Sequence, residues 1–216
     1  MRDEFVGDIG DYGKYGLLRV LNRASAFRLG IVWMRTNTVA TPSSRKPFDY
    51  LARPVNGDGL LSACDPELYG ILKSLVGAGR QTIANLEASH ALPAGTTYFG
   101  DLLDFGGMPA VGKKAADDRL LFRKEWFRSA LNALQATELI FFDPDNGLEI
   151  PSVKRHRADG PKYVWYDELE PFFARGKSLI VYQHADRDRS GVEGVTKRRV
   201  RDLRGALKCE RVWVVR

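Results

Sequence analysis

The chain has 216 residues, 44% of them hydrophobic and 28% charged, with a formal net charge of +6 and a pI near 9.4. That length carries one large domain with a full core, and no apolar run approaches the length a membrane span needs. Cys64 and Cys209 stand alone, which excludes a disulfide framework or a thiolate zinc site and fits a cytoplasmic protein with reduced thiols.

The basic balance favours an anionic partner, nucleic acid first, against the alternative of a merely solvated basic surface. Met1-Arg2-Asp3-Glu4-Phe5 lacks the apolar core of a signal peptide. Residues 7–16, Gly-Asp-Ile-Gly-Asp-Tyr-Gly-Lys-Tyr-Gly, lead into a helix that Asp8 or Asp11 caps and that buries Tyr15, Leu17, Leu18 and Leu21. This is not a phosphate loop: no strand precedes it, and Tyr15 follows Lys14 where Ser or Thr is required.

Residues 29–34 are the first expected strand, followed by a polar loop over 35–47 and a turn at 56–59. Asp65 and Pro66 open a helix with Leu68, Ile71, Leu72 and Leu75 on one face, ending near 77–79. Short strands are expected at 81–86 and 96–99, and a long helix at 117–135 buries Leu120, Leu121, Trp126, Phe127, Leu131 and Leu134. Strand 139–142 follows, then a helix over 167–173, strand 178–182, a basic helix at 193–208 and a last strand at 210–215. Strands and helices alternate, which predicts a single doubly wound, mostly parallel α/β domain.

The most informative stretch is Leu139-Ile140-Phe141-Phe142-Asp143-Pro144-Asp145-Asn146-Gly147-Leu148-Glu149. The apolar run is a strand buried on both faces, and Pro144 with Asn146-Gly147 ends it. Polar groups are thereby set at the carboxyl end of a central strand, where open α/β sheets bind ligands. Gln183, His184, Asp186 and Arg187 follow another strand, and Asp101 and Asp104 a third. In a parallel sheet the three groups share an edge. Read more plainly, Asp143–Gly147 is a self-capping turn, His184 a lone hydrogen-bonded imidazole and Lys14 a solvated helix lysine. Asp143, Asp145 and Glu149 are also oxygen ligands suited to magnesium or manganese, although no spacing demands a metal. Lys154, Arg155 and Arg157, with Lys197, Arg198, Arg201 and Arg204 on the last helix, suit phosphate contacts to nucleic acid.

Gly7, Asp11 and Lys14, with Asp143-Pro144 after an apolar strand, resemble the ribosomal RNA adenine methyltransferases that act on an exocyclic amine. The whole chain is similar to a family of uncharacterised bacterial and phage proteins. These share the Gly-Asp-x-Gly-Asp-x-x-Lys start, the Asp-Pro-Asp-Asn-Gly core and the strand ending at His184. The methyltransferase resemblance implies a Rossmann-type fold that uses S-adenosylmethionine. It implies that Asp143 holds the target amine and that Lys14 lies near the cofactor or the target; Asp145, Asn146 and His184, from the strand ends, complete the candidate catalytic set. Asp101 falls where the resemblance places the cofactor adenine, and Asp11, Thr36 and Asn37 are further cofactor-binding candidates. The chain departs from that pattern in two places: no glycine turn follows the first strand, and Asn146 replaces the aromatic residue that stacks on a flipped base. Three functions stay open: an S-adenosylmethionine-dependent transferase acting on a base or nucleotide amine, a metal-dependent nuclease or phosphoesterase, and a non-catalytic nucleic-acid-binding module.

Overall fold

The computed structural model describes residues 2–37, 48–52, 60–184 and 191–215. The turn expected at 56–59, most of the 35–47 loop, and Asp186 and Arg187 lie outside these residues. The chain forms two compact units, one of residues 1–29 and 37–97, the other of 30–36 and 98–216.

In the first unit a 3₁₀ turn at Asp3–Phe5 leads into α1, Ile9–Ser25. The other helices are α2, Asp49–Ala52; α3, Leu60–Cys64; α4, Pro66–Gly77; and α5, Ile83–Ala88. Helix α1 packs on α4, burying Tyr15 and Leu18 together with Leu68 and Leu72. The starts of α1 and α4 are closed by side chains of the expected kind: Asp8 accepts from Asp11 N on α1, and Asp65 from Leu68 N on α4. Residues 81–86, expected as a strand, are instead the entry to α5. Thr82 caps it by accepting from Asn85 N, Asp3 accepts from Ile83 N, and Ile83 and Leu86 bury one turn face. Two apolar residues three apart fit a helix as well as a strand, and the cap decides.

The second unit holds a mostly parallel four-stranded sheet of order β2-β1-β3-β6: β1, Leu29–Trp33; β2, Thr97–Phe99; β3, Leu139–Asp143; and β6, Ser178–Val181. Every residue of β1 and β3 is buried, as their unbroken apolar runs require. β3 pairs parallel with β6, Leu139 opposite Ser178 through Phe142 opposite Val181. A separate parallel pair joins β4, Gly147–Leu148, to β5, Tyr163–Val164. The helices are α6, Lys113–Ala133; α7, Tyr166–Phe173; and α8, Gly191–Leu207. The core gathers Val32, Ile140 and Phe142 from the strands, Trp126 and Leu131 from α6, and Leu169 and Phe172 from α7. Phe142 and Phe172 meet edge to face at 5.0 Å.

Two expectations change here. Helix α6 begins at Lys113, a turn earlier than expected, and Leu120 and Leu121 are exposed on it. Its buried face carries Arg119 and Arg123 instead. Residues 210–215 form no strand, and Trp213 is 77% exposed. Their β-branched and aromatic residues favour a pleated, half-buried surface, and no neighbouring strand among the described residues supplies one.

Candidate site at the sheet switch point

The chain runs from β1 to β2 on one side and returns to β3 on the other. Sheet order therefore reverses between β1 and β3, and a crevice outside the carboxyl ends of strands is the rule at such a point. Beyond β1, Arg35 still pairs in parallel with Leu102, and Leu103 N donates to Arg35 O at 2.9 Å. The next residue, buried Thr36, donates its hydroxyl to Asp145 Oδ2 at 3.0 Å. A residue expected to hold cofactor and one expected at the catalytic centre are thus joined across the switch point.

Asp143 is the last residue of β3 and only 2% exposed, while Asp145 and Asn146 are half-buried. Asn146 N donates to Lys162 O at 2.9 Å, which carries the chain directly into the β4–β5 pair. At Gly147 φ is +110°, and a Cβ there would lie 2.5 Å from Gln183 Oε1, so only glycine fits. Gln183 clamps the loop. Its Oε1 accepts from Leu148 N at 2.9 Å, and its Nε2 donates to Asn146 O at 3.3 Å and His184 O at 2.9 Å. His184 is exposed, its Nδ1 3.4 Å from the Tyr182 hydroxyl. Asp101 and Asp104 follow β2; Asp101 is exposed, and its carbonyl accepts from Trp126 Nε1 at 3.0 Å. The strand ends thus carry the carboxylates of Asp101, Asp104, Asp143 and Asp145 together with the guanidinium of Arg35, which donates to Gly100 O.

Glu149 is turned elsewhere. Its Oε1 accepts from Tyr166 N at 2.9 Å, closing the start of α7, and burial pushes its carboxyl above the ordinary range. It does not join Asp143 and Asp145 as a third ligand, and among the described residues no three His, Cys, Asp or Glu side chains gather as a metal site.

Asp11 and Lys14 belong to the first unit. Asp11 is buried at 1% exposure, accepts from Gly7 N at 2.9 Å and pairs with Lys14 Nζ at 2.6 Å, so Lys14 is not the solvated helix lysine of the plainer reading. Burial raises the Asp11 carboxyl against the lowering pull of Lys14. Gly7 itself has φ +88°, with Val76 2.9 Å from any Cβ. Gly7, Asp8, Asp11 and Lys14 together build the start of α1.

The basic residues divide. Lys154, Arg157 and Arg204 are exposed. Arg155 is engaged with Asp167 at 2.6 Å and lies over the Trp165 ring. Lys197 pairs with Glu193 at 2.8 Å and Arg201 with Asp202 at 3.2 Å, both on the surface, and Arg198 is half-buried. Arg199, the neighbour of that stripe, turns inward and donates to Glu149 O, Leu148 O and the Tyr166 hydroxyl.

Asn37 is exposed at the end of the segment that follows β1. Sequence reasoning passed over Gln183 as a clamp and the buried arginines of α6. Arg119 and Arg123 fall four residues apart on the face that continues through Trp126, Phe127, Ala130 and Leu134, and that spacing was the available signal. Comparison of the chain with protein-family profiles, with curated proteins and with solved structures yields no match.

Proposed function

We propose that the chain is an S-adenosylmethionine-dependent methyltransferase with a Rossmann-type sheet, acting on an amino group of a nucleic-acid base or nucleotide. The observation that carries this reading is the Thr36–Asp145 hydrogen bond at the β1–β3 switch point, immediately beyond the buried Asp143. The charge of the edge supports the choice of ligand. Carboxylates at the strand ends suit a nucleoside that carries a sulfonium and an ammonium, with Arg35 just beyond β1 as the cation of the same edge. Within the second unit, Asp101 suits ribose hydroxyls or the adenine amine, and Thr36 offers a hydroxyl just beyond β1.

Bound there, S-adenosylmethionine supplies the methyl group. Asp143 accepts a hydrogen bond from the target N–H and orients the nitrogen lone pair, Pro144 fixes the loop, and Asn146 offers an amide to the base edge. His184 stands exposed at the rim, where an imidazole takes up a released proton. Exposed Lys154, Arg157 and Arg204 are the contacts assigned to a nucleic-acid backbone. The engagement of Glu149 with α7 counts against the metal-dependent hydrolase.

Calorimetry with S-adenosylmethionine and S-adenosylhomocysteine tests the reading, with magnesium titrated separately. Ligand at a hundred times its Kd stabilises the fold by about 2.7 kcal/mol. Asp143→Asn keeps cofactor binding and loses transfer of labelled methyl to nucleic acid, whereas Thr36→Val weakens cofactor binding itself. Absence of any response to either nucleoside overturns the proposal, and a response to magnesium that vanishes in Asp145→Asn replaces it with the hydrolase.

A further inference from the structure

Helix α6 starts without a side-chain cap. Its N-cap is Gly112, no acidic residue lies in its first turn, and Lys113 and Lys114 place positive charge at the positive end of the helix dipole. Lys114 is balanced by Asp118 at 3.0 Å; Lys113 has no ion pair among the described residues. At this end lies a cavity of about 280 Å³ lined by Gly112, Lys113, Ala116, Arg119, His156 and Arg157. Its polar lining is wholly basic, with no carboxylate.

Arg119 is the informative member. It is 7% exposed, and its two terminal nitrogens hold Met108 O at 3.0 Å and His156 O at 3.1 Å, the second of which ties the His156 wall of the cavity to α6. Its guanidinium lies 5.1 Å from the centre of the Phe105 ring. Its Nε–H is buried with no acceptor among the described residues. A buried charged donor left without a partner is rare in a native protein.

We propose that this cavity binds a phosphate group. Free N–H groups at the start of a long helix, a lysine, an imidazole and the exposed Arg157 guanidinium are donors to a tetrahedral oxyanion, and buried Arg119 adds its positive charge behind them. The volume lies just under the usual range for sites of drug-sized ligands, which suits one phosphate and little of what it is attached to. Exposed Arg157 leads outward from the cavity, so the phosphate belongs either to a small phosphorylated molecule or to a nucleic-acid backbone. The site shares Arg157 with the backbone contacts proposed above, but phosphate binding here is read without S-adenosylmethionine and stands or falls apart from methyl transfer.

The full chain is titrated with inorganic phosphate, adenosine monophosphate and a single-stranded oligonucleotide, followed by thermal shift and by the amide resonances of Lys113, Lys114 and Ala115. Lys113→Glu is the main variant, because a carboxylate at a helix start stabilises the fold and loss of binding cannot then be loss of folding. His156→Ala, which keeps the backbone carbonyl that Arg119 holds, is the second. Inorganic phosphate is expected to raise Tm and move the three amides in wild type, and both variants to weaken that binding about tenfold or more. Tighter binding of the mononucleotide than of phosphate assigns the site to a small molecule. Oligonucleotide binding whose salt slope falls by about one in Lys113→Glu assigns it to a backbone phosphate. No response to any of the three probes, or a response of equal size in Lys113→Glu, overturns the proposal.

Discussion

Gly147→Ala is the substitution that most directly tests how the switch-point loop is held. An L residue at φ +110° costs about 1–3 kcal/mol in backbone strain. The new Cβ would also lie 2.5 Å from Gln183 Oε1, so the amide must move and release its bonds to Leu148 N, Asn146 O and His184 O. At about 1 kcal/mol for each bond, the total comes to roughly 4–6 kcal/mol. Gln183→Ala alone loses the same bonds and costs about 2–3 kcal/mol. The double variant loses them only once, so its cost falls below the sum of the singles by about 2–3 kcal/mol. Urea denaturation of the four proteins, read at constant m, measures this directly. Additivity to within about 0.5 kcal/mol would refute the clamp, as would a Gly147→Ala cost under about 1 kcal/mol. Cofactor binding is expected to weaken in both single variants, because Asp145 and Asn146 move with the loop.

Three further outcomes are expected. Arg123 pairs with Glu168 at 2.5 Å and also donates to Gly160 O and Tyr163 O, so Arg123→Met costs about 3–5 kcal/mol in urea unfolding, and Glu168→Met added to it restores part of that loss. Burial holds the Glu149 carboxyl above its ordinary 4.5, so the folded chain binds that proton more tightly than the unfolded one and stability falls as pH rises from about that value through the raised one. Glu149→Gln keeps an acceptor for Tyr166 N and should flatten that part of the pH–stability curve; an unchanged curve would show that Glu149 does not contribute. Trp213, exposed in the tail beyond α8, should be quenched by acrylamide about as readily as free tryptophan in the Trp33→Phe, Trp126→Phe, Trp165→Phe background, and protection would place 210–215 back in a strand.

Much of the site was legible because it rests on local chemistry. Four apolar residues followed by Asp-Pro-Asp-Asn-Gly specify a buried strand and its end whatever packs around them, and β3 stops at Asp143. Asp65-Pro66 specifies a helix start in the same way. The misassigned pieces share a cause. Residues 81–86 and 210–215 have side chains compatible with a strand, but a strand exists only if a neighbour completes its ladder. The glycine at 147 was legible as a turn residue, whereas its second reason, the Gln183 amide pressed against it, comes from 36 residues further along the chain.

By itself the sequence determined the alternation of helices and strands, the ends of the central strands and the acidic residues placed there, because periodicity, caps and turn chemistry act over a few residues. Only the tertiary structure decided which charges are buried and what they hold. It joined Thr36 to Asp145, gave Glu149 to α7 and turned Arg199 inward from its basic stripe. It also brought Arg119 together with Lys113, His156 and Arg157 around one cavity. A charged side chain is taken out of water only when distant backbone and side chains supply its partners, and those partners are brought together by the fold.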